Sequence, residues 1–390
     1  MSIKKRSRFT EFRQGLGPAI RELKFTLKRI KKSPLSLLGI AIIIFYASLA
    51  ILAPVLAPPV NRDPNQVWND GFSQTPKPPG TPVLDDIAKS KGYTQHIFGT
   101  AELQYDIYYG VIWGSRTAFR IGVLVIVTAL AIGIVLGCMA GYYGGVMDEL
   151  MMRFTDIVLA FPGLILAMAL VIALPRTWLF DMGIIIIAFA ILLAPLIFGY
   201  FLKIEGRWML LVGLLGLLLL AILETYVFGN ATIWMWSMEI GQLDKILIAL
   251  AIVGWPGYTR VIRGEILRIR REDYIEAAKA IGCSDFRVVT RHIIPNAIYP
   301  VVIMASLDIG SMVLTAAALS FLGIGAPTGY ADWGQMISFA RNWVWSGFQD
   351  PWKYWYTFII PGVFIFTFVL GWNLLGDAFR DILDPTLRRK

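Results

Sequence analysis

The chain has 390 residues, of which 56% are hydrophobic and 16% are charged, and its mean hydropathy is +0.62. Soluble domains carry roughly 45–50% apolar and about 25% charged residues, so this chain has too little polar surface for a soluble globule. Disordered and collagen-like chains are also excluded, because these need low hydrophobicity or a regular glycine period, and the composition predicts a membrane-spanning protein.

The net charge of +9 is concentrated at the amino terminus. Residues 1–32 contain eleven lysines and arginines against only Glu11 and Glu22. Basic segments of this kind remain in the cytoplasm and face anionic lipid. Residues 1–34 are therefore predicted to be a cytoplasmic arm that contacts the lipid bilayer, and nucleic acid is not expected as a partner.

Apolar stretches of bilayer-spanning length, about 20 residues, recur along the chain. The first stretch resembles a signal peptide, because a basic region and an apolar run precede small residues. Its basic region is too long, however, and its apolar run exceeds the usual 7–15 residues, which favours a retained anchor. Eight stretches are candidates: roughly 35–57, 118–140, 154–174, 183–202, 208–227, 244–260, 297–323 and 357–376.

The charges of the connecting segments predict the topology. With the amino terminus inside, 26 basic residues fall in cytoplasmic segments and 10 fall outside or at the outer boundary. This bias predicts cytoplasmic termini, including a tail at 377–390, and an even number of spans. The predicted fold class is an all-α polytopic membrane protein with about eight transmembrane helices.

The segment between the first two predicted spans, residues 58–117, is expected to be an irregular extracytoplasmic loop. Residues 54–82 contain eight of the chain's twenty prolines, and proline both fixes φ and removes a backbone donor. The second predicted span carries Gly133, Gly137 and Gly141 on one helix face, which predicts close packing against another helix.

The cytoplasmic loop 261–296 has the pattern of two short helices around a glycine. Asp273 and Glu276 suggest a capped first helix with Tyr274, Ala278 and Ile281 on one face. Gly282 is placed to end that helix, and a second helix from Ser284 and Asp285 is expected to close at Pro295. Such a unit suits docking into a soluble partner, and a solvated basic loop is an equally good interpretation of the pattern alone.

The sequence Glu276-Ala277-Ala278, followed by Gly282 and Pro295, resembles the EAA loop of permease subunits of binding-protein-dependent ABC importers. In that family the loop forms coupling helices that sit in a cleft of the ATPase subunit. The resemblance assigns ATPase coupling to Asp273, Tyr274, Glu276, Ala277, Ala278, Gly282, Ser284, Arg291, His292 and Pro295.

Further segments resemble the C-type permease of dipeptide, oligopeptide and nickel importers. They are HIFGT at 96–100, GYYGG at 141–145, DELMMRFTDIVLAFPGLILA at 148–167, VGWPGYTRVIRGEIL at 253–267, RHIIPN at 291–296, LSFLGIG at 319–325, DWGQM at 332–336 and NLLGDAFRDILDP at 373–385.

The resemblance implies a type I importer permease with a six-helix core in a prokaryotic plasma membrane, forming half of a peptide pathway. It implies a homologous second permease, one or two ABC ATPase subunits and an extracytoplasmic solute-binding protein as partners. Oligosaccharide and nickel remain alternative substrates.

Three departures from the family pattern stand out. Residues 175–243 form an insertion that adds two apolar stretches. This insertion follows the segment that holds core helices 2 and 3, residues 118–174, and precedes the segment with the later core helices, residues 244–376. The sequence Ala101-Glu102-Leu103-Gln104-Tyr105-Asp106 replaces an acidic Gly-Arg-Asp type segment. Ala316 stands where many relatives have an acidic residue, and Asp308 lies eight residues earlier.

A carboxylate within a span is costly and faces a bundle interior or a water-filled path. Asp308 is therefore assigned, with Ser311 and Thr315, to the translocation path, and the alternative is a buried hydrogen-bonding role with Ser306, Ser311 or a neighbouring helix.

The sequence contains no GxxxxGK[ST], HExxH or GxSxG motif. Cys138, Cys283, His96 and His292 lie outside any metal-ligand spacing. We therefore expect a transport subunit that is not an enzyme and carries no cofactor or metal, with ATP hydrolysis on a partner chain. A self-contained secondary carrier and a membrane enzyme are the remaining, remote alternatives.

Overall fold

The computed structural model describes residues 33–71, 73–174, 177–181, 235–346 and 352–383. The chain divides into two compact units, one formed by Met1–Ile172 with Gln242–Lys390 and the other by Ala173–Gly241. The helices outside the second unit are α1 (Pro34–Leu56), α2 (Asp86–Ser90), α3 (Ile107–Tyr143), α4 (Gly145–Leu159), α5 (Gly163–Ala173), α6 (Gln242–Ile269), α7 (Asp273–Ala280), α8 (Asp285–Val288), α9 (Ile294–Phe321), α10 (Trp333–Ser346) and α11 (Tyr356–Leu383).

Five helices among the described residues are long and apolar enough to cross a bilayer, and the count is six if the bent pair of α4 and α5 is one span. The helical membrane architecture predicted from the sequence is thereby confirmed. Two of the eight predicted spans, 183–202 and 208–227, lie outside the described residues, as do most of the amino-terminal arm and the last seven residues of the tail.

The predicted span at 154–174 is not one continuous helix. The structure has α4 and α5 there, bent by 90° across the short break between Leu159 and Gly163. Pro162 explains the break, because proline lacks a backbone N–H and disfavours helical geometry at the residue before it.

Two predicted loop boundaries are also wrong. Helix α3 begins at Ile107, so the proline-rich loop ends ten residues before the predicted 117. Asp106 caps α3 by accepting a hydrogen bond from the Tyr109 amide at 2.7 Å. Helix α6 continues to Ile269 instead of ending near 260. Its last turns bury Ile262, Ile266 and Ile269, so packing extends the helix beyond the apolar run that hydropathy detects.

The described part of the second unit contains a short antiparallel ladder that the all-α prediction missed. Strand β1 (Thr177–Asp181) pairs with strand β2 (Met235–Glu239), with Thr177 opposite Glu239. Both strands fall in the segment where two extra helical spans were expected.

The proline-rich loop has a small core of its own. It contains the short helix α2, and Trp68, Val83 and Ala88 are buried against Ile112 and Trp113 of α3. The loop is therefore packed onto the first turns of α3.

Helix α3 packs most extensively on α6. Gly133, Gly137 and Gly141 face Tyr258, Ile262 and Ile266 along this contact. A methyl group on Gly137 would lie 2.8 Å from the carbonyl oxygen of Thr259 and 2.7 Å from Ile262 Cγ2. The glycines therefore allow the two backbones to approach more closely than any other residue would permit.

We predict that Gly137→Ala lowers the free energy of unfolding by about 1–3 kcal/mol, because the added methyl group would overlap backbone atoms of α6. Thermal unfolding of the detergent-purified chain measures this change. Gly264→Ala is the matched control, since a methyl group at that position would have no neighbouring atom within 4 Å and alanine is the better helix former by about 1 kcal/mol. Equal midpoints for the two variants would show that the close contact is not required.

Candidate functional site

The predicted coupling loop forms a compact unit, which we call the coupling segment, residues 270–293. Helix α7 leads to Gly282, whose φ of +85° is the left-handed conformation expected for a glycine that ends a helix. Helix α8 and one turn of π-helix, Val289–Ile293, then lead into α9.

The coupling segment is anchored by its apolar side chains. Ile275, Ala278, Val288 and Ile293 are buried and belong to the same core as residues of α3, α6 and α9. Of the three residues predicted to share one face, Ala278 is buried, whereas Tyr274 and Ile281 are exposed. Ile275 and Ala278, three residues apart on α7, form the inward face.

The outward face of the coupling segment carries large apolar groups. Ile281 is 82% exposed and Phe286 is 79% exposed, and the two lie on either side of Gly282. Tyr274 extends this surface. Of the other predicted coupling residues, Ala278 is buried and His292 is partly buried, and the rest are exposed: Asp273, Glu276, Ala277, Gly282, Ser284, Arg291 and Pro295.

Two details of the predicted local structure are wrong. Glu272 precedes α7 without a side-chain cap, and Asp273 and Glu276 both lie in its first turn, where the helix dipole favours them. Pro295 lies in the first turn of α9 and does not close the preceding helix. In the π-turn the Ile294 amide donates a hydrogen bond to the Val289 carbonyl oxygen. Proline has no amide hydrogen to donate, and this costs little at Pro295, because the first amides of a helix have no partner within the helix.

The carboxyl end of α3 contacts the coupling segment through Tyr142, a residue that the sequence analysis did not single out. The Tyr142 hydroxyl donates a hydrogen bond to Asp285, and Lys279 Nζ lies 5.0 Å from the centre of the Tyr142 ring. Arg270 Nη1 donates to the Tyr142 carbonyl oxygen at 2.7 Å. The GYYGG motif was the signal available in the sequence.

The three residues predicted to line the translocation path lie on α9. Asp308 Oδ2 accepts a hydrogen bond from Tyr258 of α6 at 2.7 Å. Ser311 is exposed and donates to the Asp308 carbonyl oxygen at 2.9 Å, and Thr315 donates to the Ser311 carbonyl oxygen at 2.8 Å. Asp308 is therefore tied to a neighbouring helix, whereas both hydroxyls are bonded to their own helix.

A buried polar cluster lies where the proline-rich loop meets the amino end of α3; we call it the His96 cluster, formed by His96, Asp70, Asp106 and Lys77. The two ring nitrogens of His96 contact two carboxylates, Asp106 Oδ2 at 2.7 Å and Asp70 Oδ2 at 3.1 Å. Lys77 Nζ lies 2.8 Å from the same Asp70 oxygen. Trp68 stacks on the imidazole with the ring centres 5.4 Å apart.

The cluster favours a charged histidine between two charged carboxylates. Burial by itself would lower the pKa of His96, but the hydrogen bonds and negative charges of Asp106 and Asp70 outweigh it and raise that pKa. Burial would likewise raise the pKa of Asp70, yet hydrogen bonds from Lys77, His96 and the backbone amides of Leu84 and Asp85 lower it. With both cations present, the two carboxylates are balanced by two positive charges.

Comparison with known families and proteins gives a consistent result. A family model described as binding-protein-dependent transport system inner membrane component matches residues 207–389, and one described as the N-terminal TM domain of oligopeptide transport permease C matches residues 23–78.

Three bacterial proteins are similar over most of their length. The dipeptide transport system permease protein of Alkalihalophilus pseudofirmus is 30% identical over 95% of this chain and 92% of its own. The probable D,D-dipeptide transport system permease protein of Escherichia coli is 32% identical over 91% and 89%. The oligopeptide transport system permease protein of Bacillus subtilis is 27% identical over 94% and 90%.

The His96 cluster predicts a pH dependence of the packing of residues 67–106. A histidine with a raised pKa stabilises the fold fully below its unfolded pKa of about 6.5, and this contribution is lost as the pH rises through the folded value. The lowered pKa of Asp70 affects stability at the acidic end of the pH range. The Asp70 contribution to stability is present above pH about 3.9 and is lost as the pH falls through the folded pKa.

We expect the rate at which a protease cleaves this loop in the intact protein to increase as the pH rises from about 6 to about 9. The His96→Gln variant should be cleaved readily at every pH. Cleavage rates are normalised to the denatured chain at each pH. His292→Gln is the matched control, since it changes the chain's other histidine, which lies in the coupling segment. An unchanged pH profile in His96→Gln would contradict the assignment.

Proposed function

The chain belongs to the family of binding-protein-dependent transport system inner membrane components, and we propose that it is the permease subunit of an ATP-driven peptide importer and forms half of its translocation pathway. The observation that carries this proposal is the coupling segment. Its inner face is part of the membrane-helix core, and its outer face presents the exposed apolar side chains Tyr274, Ile281 and Phe286 among exposed charged ones. The names of the relatives favour peptides over the alternative substrates, oligosaccharides and nickel.

We assign ATP hydrolysis and transport to different subunits of the importer. ATP hydrolysis is assigned to a separate ABC ATPase, because this sequence has no phosphate-binding loop. The coupling segment would dock into that ATPase through Tyr274, Ile281 and Phe286, and we expect the permease itself to need no cofactor. Closure of the ATPase would push on the segment and rock the attached helices between inward-open and outward-open states.

The remaining partners and the orientation belong to the same proposal. A homologous second permease would complete the pathway, and one or two ATPase subunits would bind on the cytoplasmic side. An extracytoplasmic solute-binding protein would deliver the peptide and supply most of the selectivity. The basic arm and the coupling segment support cytoplasmic termini in a prokaryotic plasma membrane.

Within the pathway we assign different roles to the three polar residues of α9. The hydrogen bond from Tyr258 supports a structural role for Asp308, because it satisfies the carboxylate between two helices. Ser311 is exposed on the isolated subunit and lies one turn along from Asp308. Together with Thr315 it supplies the polar surface that we expect to face the peptide.

The docking surface is tested with Ile281→Ser and Phe286→Ala. Each change removes exposed apolar area at the centre of the proposed contact, and we expect the affinity of the purified ATPase subunit to fall about tenfold or more. ATP-driven peptide uptake should fall with it. Ile87→Ser is the matched control, because Ile87 is also largely exposed but lies on the proline-rich loop. Unchanged affinity and uptake in both variants would remove the docking assignment.

The role of Asp308 is tested with Asp308→Asn and Asp308→Leu. Asparagine keeps an oxygen that accepts the Tyr258 hydrogen bond, so uptake should stay within about twofold, whereas leucine leaves the hydroxyl unpaired at a cost of about 1–3 kcal/mol. Peptide uptake and thermal unfolding are measured for both. If Asp308→Asn loses uptake at unchanged stability, the charge itself acts in the path and the structural assignment is wrong.

A further inference from the structure

Helix α3 connects the His96 cluster to the coupling segment. It has 37 residues, which corresponds to a length of about 55 Å at 1.5 Å per residue. Its amino end is capped by Asp106 of the His96 cluster, and its carboxyl end contacts the coupling segment. A helix held at both ends and packed along α6 moves as one body, so a displacement at one end reaches the other.

The carboxyl end of α3 is held first by its backbone. The last carbonyl groups of a helix have no partner inside the helix and carry its negative dipole. Arg270 Nη1 donates to the carbonyl oxygens of Tyr142 at 2.7 Å and Gly141 at 3.4 Å. Arg270 directly follows α6, so this contact fixes the entrance of the coupling segment to α3.

The side chain of Tyr142 then holds both halves of the coupling segment. Its ring lies against Lys279 of α7, and its hydroxyl donates to Asp285, the first residue of α8. Tyr142 itself is only 6% exposed. The two contacts lie on opposite sides of the Gly282 turn, so a rotation of one short helix against the other would break at least one of them.

Two of the proposed docking residues lie next to these contacts in the sequence. Ile281 follows Lys279 by two residues, and Phe286 follows Asp285 directly. A force applied to these exposed side chains therefore acts on a unit that Tyr142 connects to α3. The direct covalent route leads instead through the π-turn into α9.

We propose that Tyr142 is a positioning residue that transmits movement of the coupling segment to α3, and that it sets how much peptide is moved per ATP hydrolysed without deciding whether the ATPase binds. This inference rests on the proposed function. It adds a second route of transmission, through α3, to the covalent one through α9.

The test uses the complete importer reconstituted in vesicles, with hydrolysis and uptake measured on the same preparation. Tyr142→Phe removes the hydroxyl and keeps the ring next to Lys279. We expect ATPase association, hydrolysis without peptide and thermal stability to stay near the parent values. Peptide transported per ATP should fall about tenfold or more, as for loss of a hydrogen bond to a charged acceptor.

Two further variants sharpen the result. Tyr143→Phe is the matched control, since Tyr143 is the adjacent residue, is 66% exposed and undergoes the same chemical change. Asp285→Asn keeps an oxygen that accepts the Tyr142 hydrogen bond and should retain most of the coupling, whereas Asp285→Ala should match Tyr142→Phe. The double variant Tyr142→Phe/Asp285→Ala should be no worse than either single one, because both remove the same bond.

The outcomes separate this inference from the function on which it rests. An unchanged ratio of transport to hydrolysis in Tyr142→Phe overturns the transmission role. A parallel loss of stability, ATPase association and transport also overturns it, because the residue would then be needed only for folding. If the parent protein neither binds an ABC ATPase nor supports ATP-driven uptake, the proposed function itself fails, whatever Tyr142 does.

Discussion

The close approach of α3 and α6 is the contact on which the other features of this protein depend. Between helices in lipid there is little hydrophobic driving force, so association relies on packing that small residues make possible. Gly133, Gly137 and Gly141 provide that packing, and the Arg120–Asp244 ion pair of 2.7 Å links the same two helices near the other end. This seam brings the end of α6, and with it the coupling segment, next to the end of α3.

The membrane helices could be predicted from the sequence because the bilayer imposes a length and a composition on each span. The ends of these helices do not follow from the bilayer constraint. Hydropathy reports where lipid meets the chain, but α3 begins at a polar cap, Asp106, and α6 ends on buried isoleucines beyond its apolar run. The bend at Pro162 was missed for a related reason, since an apolar window does not distinguish a straight helix from a broken one.

The coupling segment was visible as a pattern, but its inward face was not. Ile275 and Tyr274 are neighbours of similar size, and only the surrounding helices decide that the isoleucine is buried and the tyrosine exposed. The His96 cluster was missed altogether, because His96 lies 26 residues from Asp70 and 10 from Asp106. Spacings of this kind follow no helical or strand period, and they become meaningful only once the proline-rich loop has folded onto α3.

The distribution of contacts along α3 suggests how such a helix changes position. Its last third is held by the glycine seam, Gly133 to Gly141, whose close van der Waals contacts would be lost outright if the helices separated. Its carboxyl end is held by Tyr142, whose ring lies next to the exposed Lys279 ammonium and whose hydroxyl donates to the exposed Asp285. A hydrogen bond to a charged group contributes a net of only about 1.5–3 kcal/mol, because water can replace it. The amino end of α3 is held by a buried ion cluster, where an unpaired charge would cost far more. A movement that shifts α3 and α6 together keeps the seam and the His96 cluster intact and is therefore the least costly one. The contacts of Tyr142 join the coupling segment, where the ATPase is proposed to dock, to this pair of helices.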